Sequence, residues 1–92
     1  MSRPRRLRRV GFSPDVTYFK PQGVPMRDLG VVHLSLEELE ALRLKDFLGL
    51  GQIESAQKME VSQPTFHRLL LEARRKVSCA LVEGKALEIH KE

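Results

Sequence analysis

The chain has 92 residues, 41% of them hydrophobic and 30% charged, with a net charge of +4 and a single cysteine. That length gives one small domain with a modest core, which leaves little apolar surface to wall a deep catalytic cavity. Cys79 alone excludes an internal disulfide and a cysteine zinc site and fits a reducing cytoplasm, the apolar runs are too short to span a membrane, and no apolar stretch follows the basic N-terminus as a secretory signal requires.

The charge is unevenly placed. Residues 1–10 carry Arg3, Arg5, Arg6, Arg8 and Arg9 and no acid, whereas residues 11–92 carry eleven basic and twelve acidic side chains. The positive excess is therefore a basic arm, predicted to be flexible, and one-signed charge at a terminus favours a polyanionic partner over a generic solvated face. The plain alternative is a solubilising tail. Residues 11–34 follow as an extended, turn-rich segment, because Pro14, Pro21, Pro25, Gly11, Gly23 and Gly30 disfavour helix. Within it Val16-Thr17-Tyr18-Phe19 and Val31-Val32-His33-Leu34 are short β-prone runs, expected to pack on helices more than to build a sheet.

Residues 35–92 are predicted to be helical, with a short extended tail. Ser35-Leu36-Glu37-Glu38 is a capping box, in which hydroxyl and carboxylate each satisfy a free backbone N–H. It starts a helix over 36–48, with acids early and Arg43 and Lys45 late, as the helix dipole favours. Glu37, Glu38 and Glu40 are assigned to the helix start and the exposed surface. Gly49-Leu50-Gly51 interrupts, a second helix runs over 52–59, and Glu60-Val61-Ser62 is a turn. Ser62 caps a third helix over 63–83, in whose first turn Pro64 is tolerated. On that helix Phe66, Leu69, Leu70, Ala73, Val77, Ala80 and Leu81 form one apolar stripe at helical spacing. Arg68, Glu72 and Arg75 lie opposite, His67 and Arg74 line one border, and Lys76 lines the other. After Gly84, Ala86-Leu87-Glu88-Ile89-His90 alternates as a last strand.

A short helix, a three-residue turn and a long basic helix outline a helix-turn-helix, the unit that sets its second helix into the DNA major groove. Ala56, Val61, Phe66 and Leu69 supply the small and apolar positions this unit needs. Glu60 stands where glycine is common and demands an unusual backbone angle, and Ser55 is more polar than expected beside Ala56. Docked in this way, Gln63, Pro64, His67 and Arg68 face base edges, with Arg68 suited to guanine and Gln63 to adenine. Ser62 and Thr65 contact phosphate or cap the helix, Arg74, Arg75 and Lys76 are placed for phosphates, and so are Arg3, Arg5, Arg6, Arg8 and Arg9, which can also enter the minor groove. A solvated basic face with no ligand is the competing reading of the cluster at 74–76.

Catalytic chemistry is not visible. His33, His67 and His90 stand singly with no partner at metal spacing, so neither a metal nor a cofactor is expected. Cys79 lies off the apolar stripe and has no nucleophile partner. Gly49-x-Gly51 lacks the strand and third glycine of a dinucleotide loop, and no Gly-Lys-Ser/Thr phosphate loop is present.

Pro4-Arg5-Arg6, Val16-Thr17-Tyr18-Phe19-Lys20-Pro21, Gly23-Val24-Pro25, Leu39-Glu40-Ala41-Leu42-Arg43-Leu44, Ser62-x-x-Thr65-Phe66, Ala73-Arg74-x-Lys76-Val77 and Gly84-Lys85-Ala86-Leu87 together carry a resemblance across nearly the whole chain. The chain resembles a family of small bacterial and archaeal proteins of uncharacterised function, predicted to bind DNA through a helix-turn-helix similar to region four of sigma factors. The resemblance implies a trihelical fold of that type and a role in transcription. Family members often carry cysteine near positions 7 and 11. This chain has Leu7 and Gly11, so sensing tied to those cysteines is not available to it. Pro64 also stands where a longer polar residue is frequent. Leu71 and Val82, outside the stripe, offer a contact surface for a second subunit or for the N-terminal segment.

The expectation is a mainly α, sigma region four-like helix-turn-helix domain with short extended segments at both ends. It is expected to be cytoplasmic, not an enzyme and not membrane-bound, and to read double-stranded DNA as a transcriptional regulator. Pairing into a homodimer is compatible with this reading, since two-fold symmetry would address paired half-sites. The alternative is a protein-interaction adaptor that docks on RNA polymerase or another regulator.

Overall fold

Three helices and a small three-stranded sheet make up a mainly α domain. The computed structural model describes residues 10–91; Arg3, Arg5, Arg6, Arg8 and Arg9 lie outside the described residues. In chain order the elements are β1 (Tyr18–Phe19), a 3₁₀ turn (Met26–Asp28), β2 (Val31–Ser35), α1 (Leu36–Leu42) continued by a π-helical turn (Arg43–Phe47), α2 (Gln52–Met59), α3 (Gln63–Glu83) and β3 (Ala86–His90).

The capping box forms as its residues dictate. Glu38 N–H donates to Ser35 Oγ at 3.0 Å, and Ser35 N–H donates to Glu38 Oε1 at 2.9 Å. The first helix is not α-helical to its end, however. From Arg43 it widens, and Leu48 N–H donates to the Arg43 carbonyl five residues back at 2.8 Å. In this wide turn Leu44 is buried while Asp46 reaches across to α3. Gly49, at φ +77°, then reverses the chain so that Leu50 N–H reaches the Leu44 carbonyl.

The extended segments do more than coat the helices. They pair in the order β1–β3–β2, with β3 antiparallel to β1 and parallel to β2. β3 thus fills the centre between two strands that lie more than fifty positions earlier, a pairing no local pattern announces. One face of the sheet turns Leu34, Ile89 and Leu87 toward Ala73 of α3 and toward Leu36, Leu39 and Leu42. The other face carries His33, Glu88 and His90 side by side. The two histidines read as solitary in the sequence are therefore neighbours.

A second apolar cluster joins Ala41 and Leu44 to Ala56 and Met59 of α2 and to Phe66 and Leu70 of α3, with Leu50, Val61 and Leu69 packed against it. Burying side chains of this size contributes about 1.5–3 kcal/mol each for the larger ones, and it is this packing that holds the eight-residue α2, too short to persist alone. The stripe on α3 ends at Ala80. Leu81 is 77% exposed and lines a surface groove with Phe19, Pro21 and Leu87. Among the described residues no helix is long and apolar enough to cross a membrane.

Candidate nucleic-acid interface

α2 ends at Glu60, which takes φ 58° and ψ 44°, the left-handed conformation that a side chain disfavours. Its N–H bonds back to the Ala56 and Gln57 carbonyls and Val61 N–H donates to the Ala56 carbonyl at 3.1 Å, so the turn is closed by backbone bonds. Ser62 then caps α3: its hydroxyl accepts from Thr65 N–H at 3.2 Å and lies 3.0 Å from Thr65 Oγ1. Arg68 Nη2 donates to Thr65 Oγ1 at 3.2 Å, which draws the guanidinium toward the start of the helix. Ser62 and Thr65 are thus engaged with each other at the tip of α3.

Phe66, Leu70 and Ala73 turn fully into the core, and the opposite side of the same turns presents Gln63, Pro64, His67 and Arg68, all exposed. Gln63, Pro64 and His67 line a shallow depression together with Gln52, the first residue of α2. Gln52 was not singled out from the sequence; its signal was its place one residue after Gly51, which caps α2 without any side-chain bond. The structure therefore brings three of the candidate base-reading residues, Gln63, Pro64 and His67, onto one exposed surface, while Arg68 is exposed but lies outside that depression.

The three cations further along α3 are each held by a carboxylate. Arg74 makes a bidentate pair with Asp46 of the π turn, at 2.6 and 3.0 Å, which keeps the Asp46 carboxyl below its ordinary range and raises the guanidinium. Arg75 pairs with Glu72 one turn earlier at 2.6 Å, again lowering the carboxyl. Both pairs are solvent-exposed, so water and salt screen them and a phosphate can compete for either arginine. Lys76 differs. Its ammonium lies 2.9 Å from Glu38 Oε1 with only 23% of its side chain exposed, and it ties α3 to the first turn of α1.

Glu40 corrects the assignment of the acidic run to the surface, for it is 2% exposed. It receives Arg43 Nε at 2.7 Å and Arg43 Nη2 at 3.0 Å, and its Oε2 also accepts Gly11 N–H at 2.9 Å. A buried carboxylate needs such donors, since desolvation otherwise forces it to protonate. The Arg43 guanidinium in turn lies 4.8 Å from the Phe12 ring centroid. A Cβ on residue 11 would stand 3.0 Å from Arg43 Nη2 and 3.2 Å from Glu40 Oε2, so a side chain there would require the ion pair to shift by a few tenths of an ångström. Glu38, 8% exposed, is likewise buried by its bonds to Ser35 and Lys76. Gly11 shares a cleft with Gln57, Lys58 and Glu60, so the chain enters the domain beside the α2–α3 turn. Cys79 is half-buried and its thiol is 3.6 Å from Glu83 Oε1.

The chain belongs to the family described as "Protein of unknown function DUF134", which it matches over residues 1–91. It is 59% identical over 87 residues to a "UPF0251 protein" of Halothermothrix orenii, an alignment that covers 95% of this chain and 64% of that one. A "UPF0251 protein" of Pelotomaculum thermopropionicum is 55% identical over 89 residues, covering 97% of this chain and 67% of the relative. One of Desulforudis audaxviator is 53% identical over 89 residues, covering 97% and 58%. The chain thus spans between 58% and 67% of the length of these three curated relatives. No solved structure matches it significantly.

Proposed function

From membership of that family and the geometry of α2 and α3, we propose that the chain is a sequence-specific DNA-binding protein used in transcriptional regulation, with α2, the Glu60–Ser62 turn and α3 acting as a helix-turn-helix similar to region four of sigma factors. One observation carries the reading. The first two turns of α3 bury Phe66 and Leu70 while leaving Gln63, Pro64, His67 and Arg68 exposed, the first three lining one depression.

In the major groove this tip would offer Arg68 to guanine and Gln63 to adenine, with His67 and the apolar edge of Pro64 setting shape. Gln52 lies beside that tip, at the uncapped start of α2, where free N–H groups favour a phosphate. Arg74 and Arg75 would take phosphates further along by exchanging their carboxylate partners, whereas Lys76 keeps a structural role at Glu38. The arginine arm enters at Gly11, close to the turn, and would supply sequence-independent affinity along the backbone or in the minor groove.

Selection of bound fragments from random double-stranded DNA, at two salt concentrations, tests the proposal: an enriched motif is expected at both. The double variant Gln63→Ala with Arg68→Ala should lose discrimination by about 1–3 kcal/mol for each good contact. No enriched motif, or a motif unchanged in the double variant, overturns direct readout. The adaptor reading draws on a different observation, the exposure of Phe47, Leu48 and Ile53 around the end of the π turn and the start of α2. An adaptor would keep its partner in the Gln63/Arg68 variant and lose it on Phe47→Ser.

A further inference from the structure

We propose that the outer face of the sheet is a binding site for a divalent transition-metal ion of the zinc class, held by His33, Glu88 and His90. These residues come from strands that meet only in the fold. The parallel register sets His33 opposite Glu88 and Ser35 opposite His90, so His90 stands one step further along the same face. His33 Nδ1 is 3.3 Å from Glu88 Oε1, the two imidazole rings meet edge to face at 5.2 Å between centroids, and one donor atom from each of the three residues lies within 4.8 Å of the others.

The donor set decides the ion. Two imidazole nitrogens and one carboxylate suit zinc, copper, nickel or cobalt, while calcium and magnesium demand mostly oxygen ligands. With zinc–nitrogen and zinc–oxygen bonds near 2.1 Å, tetrahedral donors stand about 3.4 Å apart. The His33–Glu88 spacing already meets that value. No separation need close by more than roughly 1.4 Å, which χ rotation can supply because His33 and Glu88 are 58% and 41% exposed. Exposure also leaves the remaining coordination position to water or to an external donor. Coordination would clip β2 to β3. β2 leads into α1 through Ser35, and β3 leaves α3 through Gly84, so the ion would fasten the entry of α1 to the exit of α3.

Calorimetric titration of the full chain with zinc chloride tests this, together with electron paramagnetic resonance of the copper(II) form. Expected are one saturable ion per chain, nitrogen hyperfine structure from two imidazoles, and a melting temperature that rises with zinc concentration. His33→Ala and His90→Ala should each weaken binding by about 10-fold or more, since the loss of a supporting contact alone commonly does so. Glu88→Gln should weaken it as well. Cys79→Ser should leave it unchanged, separating the site from the thiol. These side chains are exposed, so the variants should fold, which circular dichroism will verify. The absence of saturable binding, affinity unchanged in both histidine variants, or one ion bridging two chains would each overturn the proposal.

Discussion

Replacing Glu60 with glycine relieves the one non-glycine residue with positive φ among those described. At φ 58° and ψ 44° its backbone sits in the left-handed well, where a Cβ crowds the following carbonyl at a cost of about 1–2 kcal/mol. Glycine removes that cost but widens the unfolded ensemble, returning roughly 0.5–1 kcal/mol of it. The net gain is about 0.5–1 kcal/mol, which for a domain of this size raises Tm by about 2–8 °C. Glu60→Ala is the needed companion, because it keeps the strained backbone and removes whatever the carboxylate contributes; the difference between the two variants isolates the backbone. Thermal and urea unfolding followed by circular dichroism would measure both. A glycine variant no more stable than the alanine variant refutes the strain argument.

Three further outcomes follow from single features. Ser55 is fully buried in α2 and its hydroxyl has no hydrogen-bond partner among the described residues; Ser55→Ala should gain about 1 kcal/mol in urea unfolding, and a loss would mean that the hydroxyl is satisfied. Arg74 holds the Asp46 carboxyl low, so the stability it adds is present above the unfolded carboxylate range and fades as pH falls through the lowered folded value. Asp46→Asn should therefore trail the wild type by less than about 1 kcal/mol at neutral pH and begin to close on it below about pH 4, while a gap that does not narrow as pH falls further would show another origin. Deleting residues 1–9 should flatten the salt dependence of DNA affinity by about 0.9 log unit per log unit of salt for each phosphate the arm neutralises, and an unchanged slope removes the arm from the mechanism.

What was legible in the sequence was local chemistry. Ser35 with Glu38, Ser62 before Pro64, and Gly84 each declare a helix end through a hydrogen bond or backbone angle that needs no distant partner, and each is seen doing so. The spacing of Phe66, Leu70 and Ala73 likewise foretold which side of α3 is buried. What stayed hidden depends on contacts between distant positions. Glu40 reads as one more acid at a helix start until Gly11 and Arg43 close on it. His33 and His90 read as isolated until β3 slots in beside β2. Leu81 fits the helical period but lies beyond the reach of the core, since periodicity fixes direction and not the extent of the partner surface.

The ion pairs on α3 redistribute the work expected of its charges. A free cation binds phosphate by releasing counterions, but a cation already paired must first give up its carboxylate, and the freed carboxylate then repels the DNA unless it moves away. Arg74 and Arg75 face that exchange with Asp46 and Glu72, and Lys76 is tied to the Ser35 capping box through Glu38. Under the proposed function, the middle of α3 therefore gives less net electrostatic attraction than its three consecutive basic residues suggest. Arg68, which among the described residues bonds the Thr65 hydroxyl and no carboxylate, would meet DNA at little electrostatic cost. Affinity then rests chiefly on the arginine arm, and choice of sequence on the exposed tip of α3. On this division, removing the pair together, Glu72→Ala with Arg75→Ala, should weaken binding in a DNA titration less than removing one effective arginine of the arm, because the double variant leaves the net charge unchanged, whereas Arg75→Ala alone would leave Glu72 to repel the DNA.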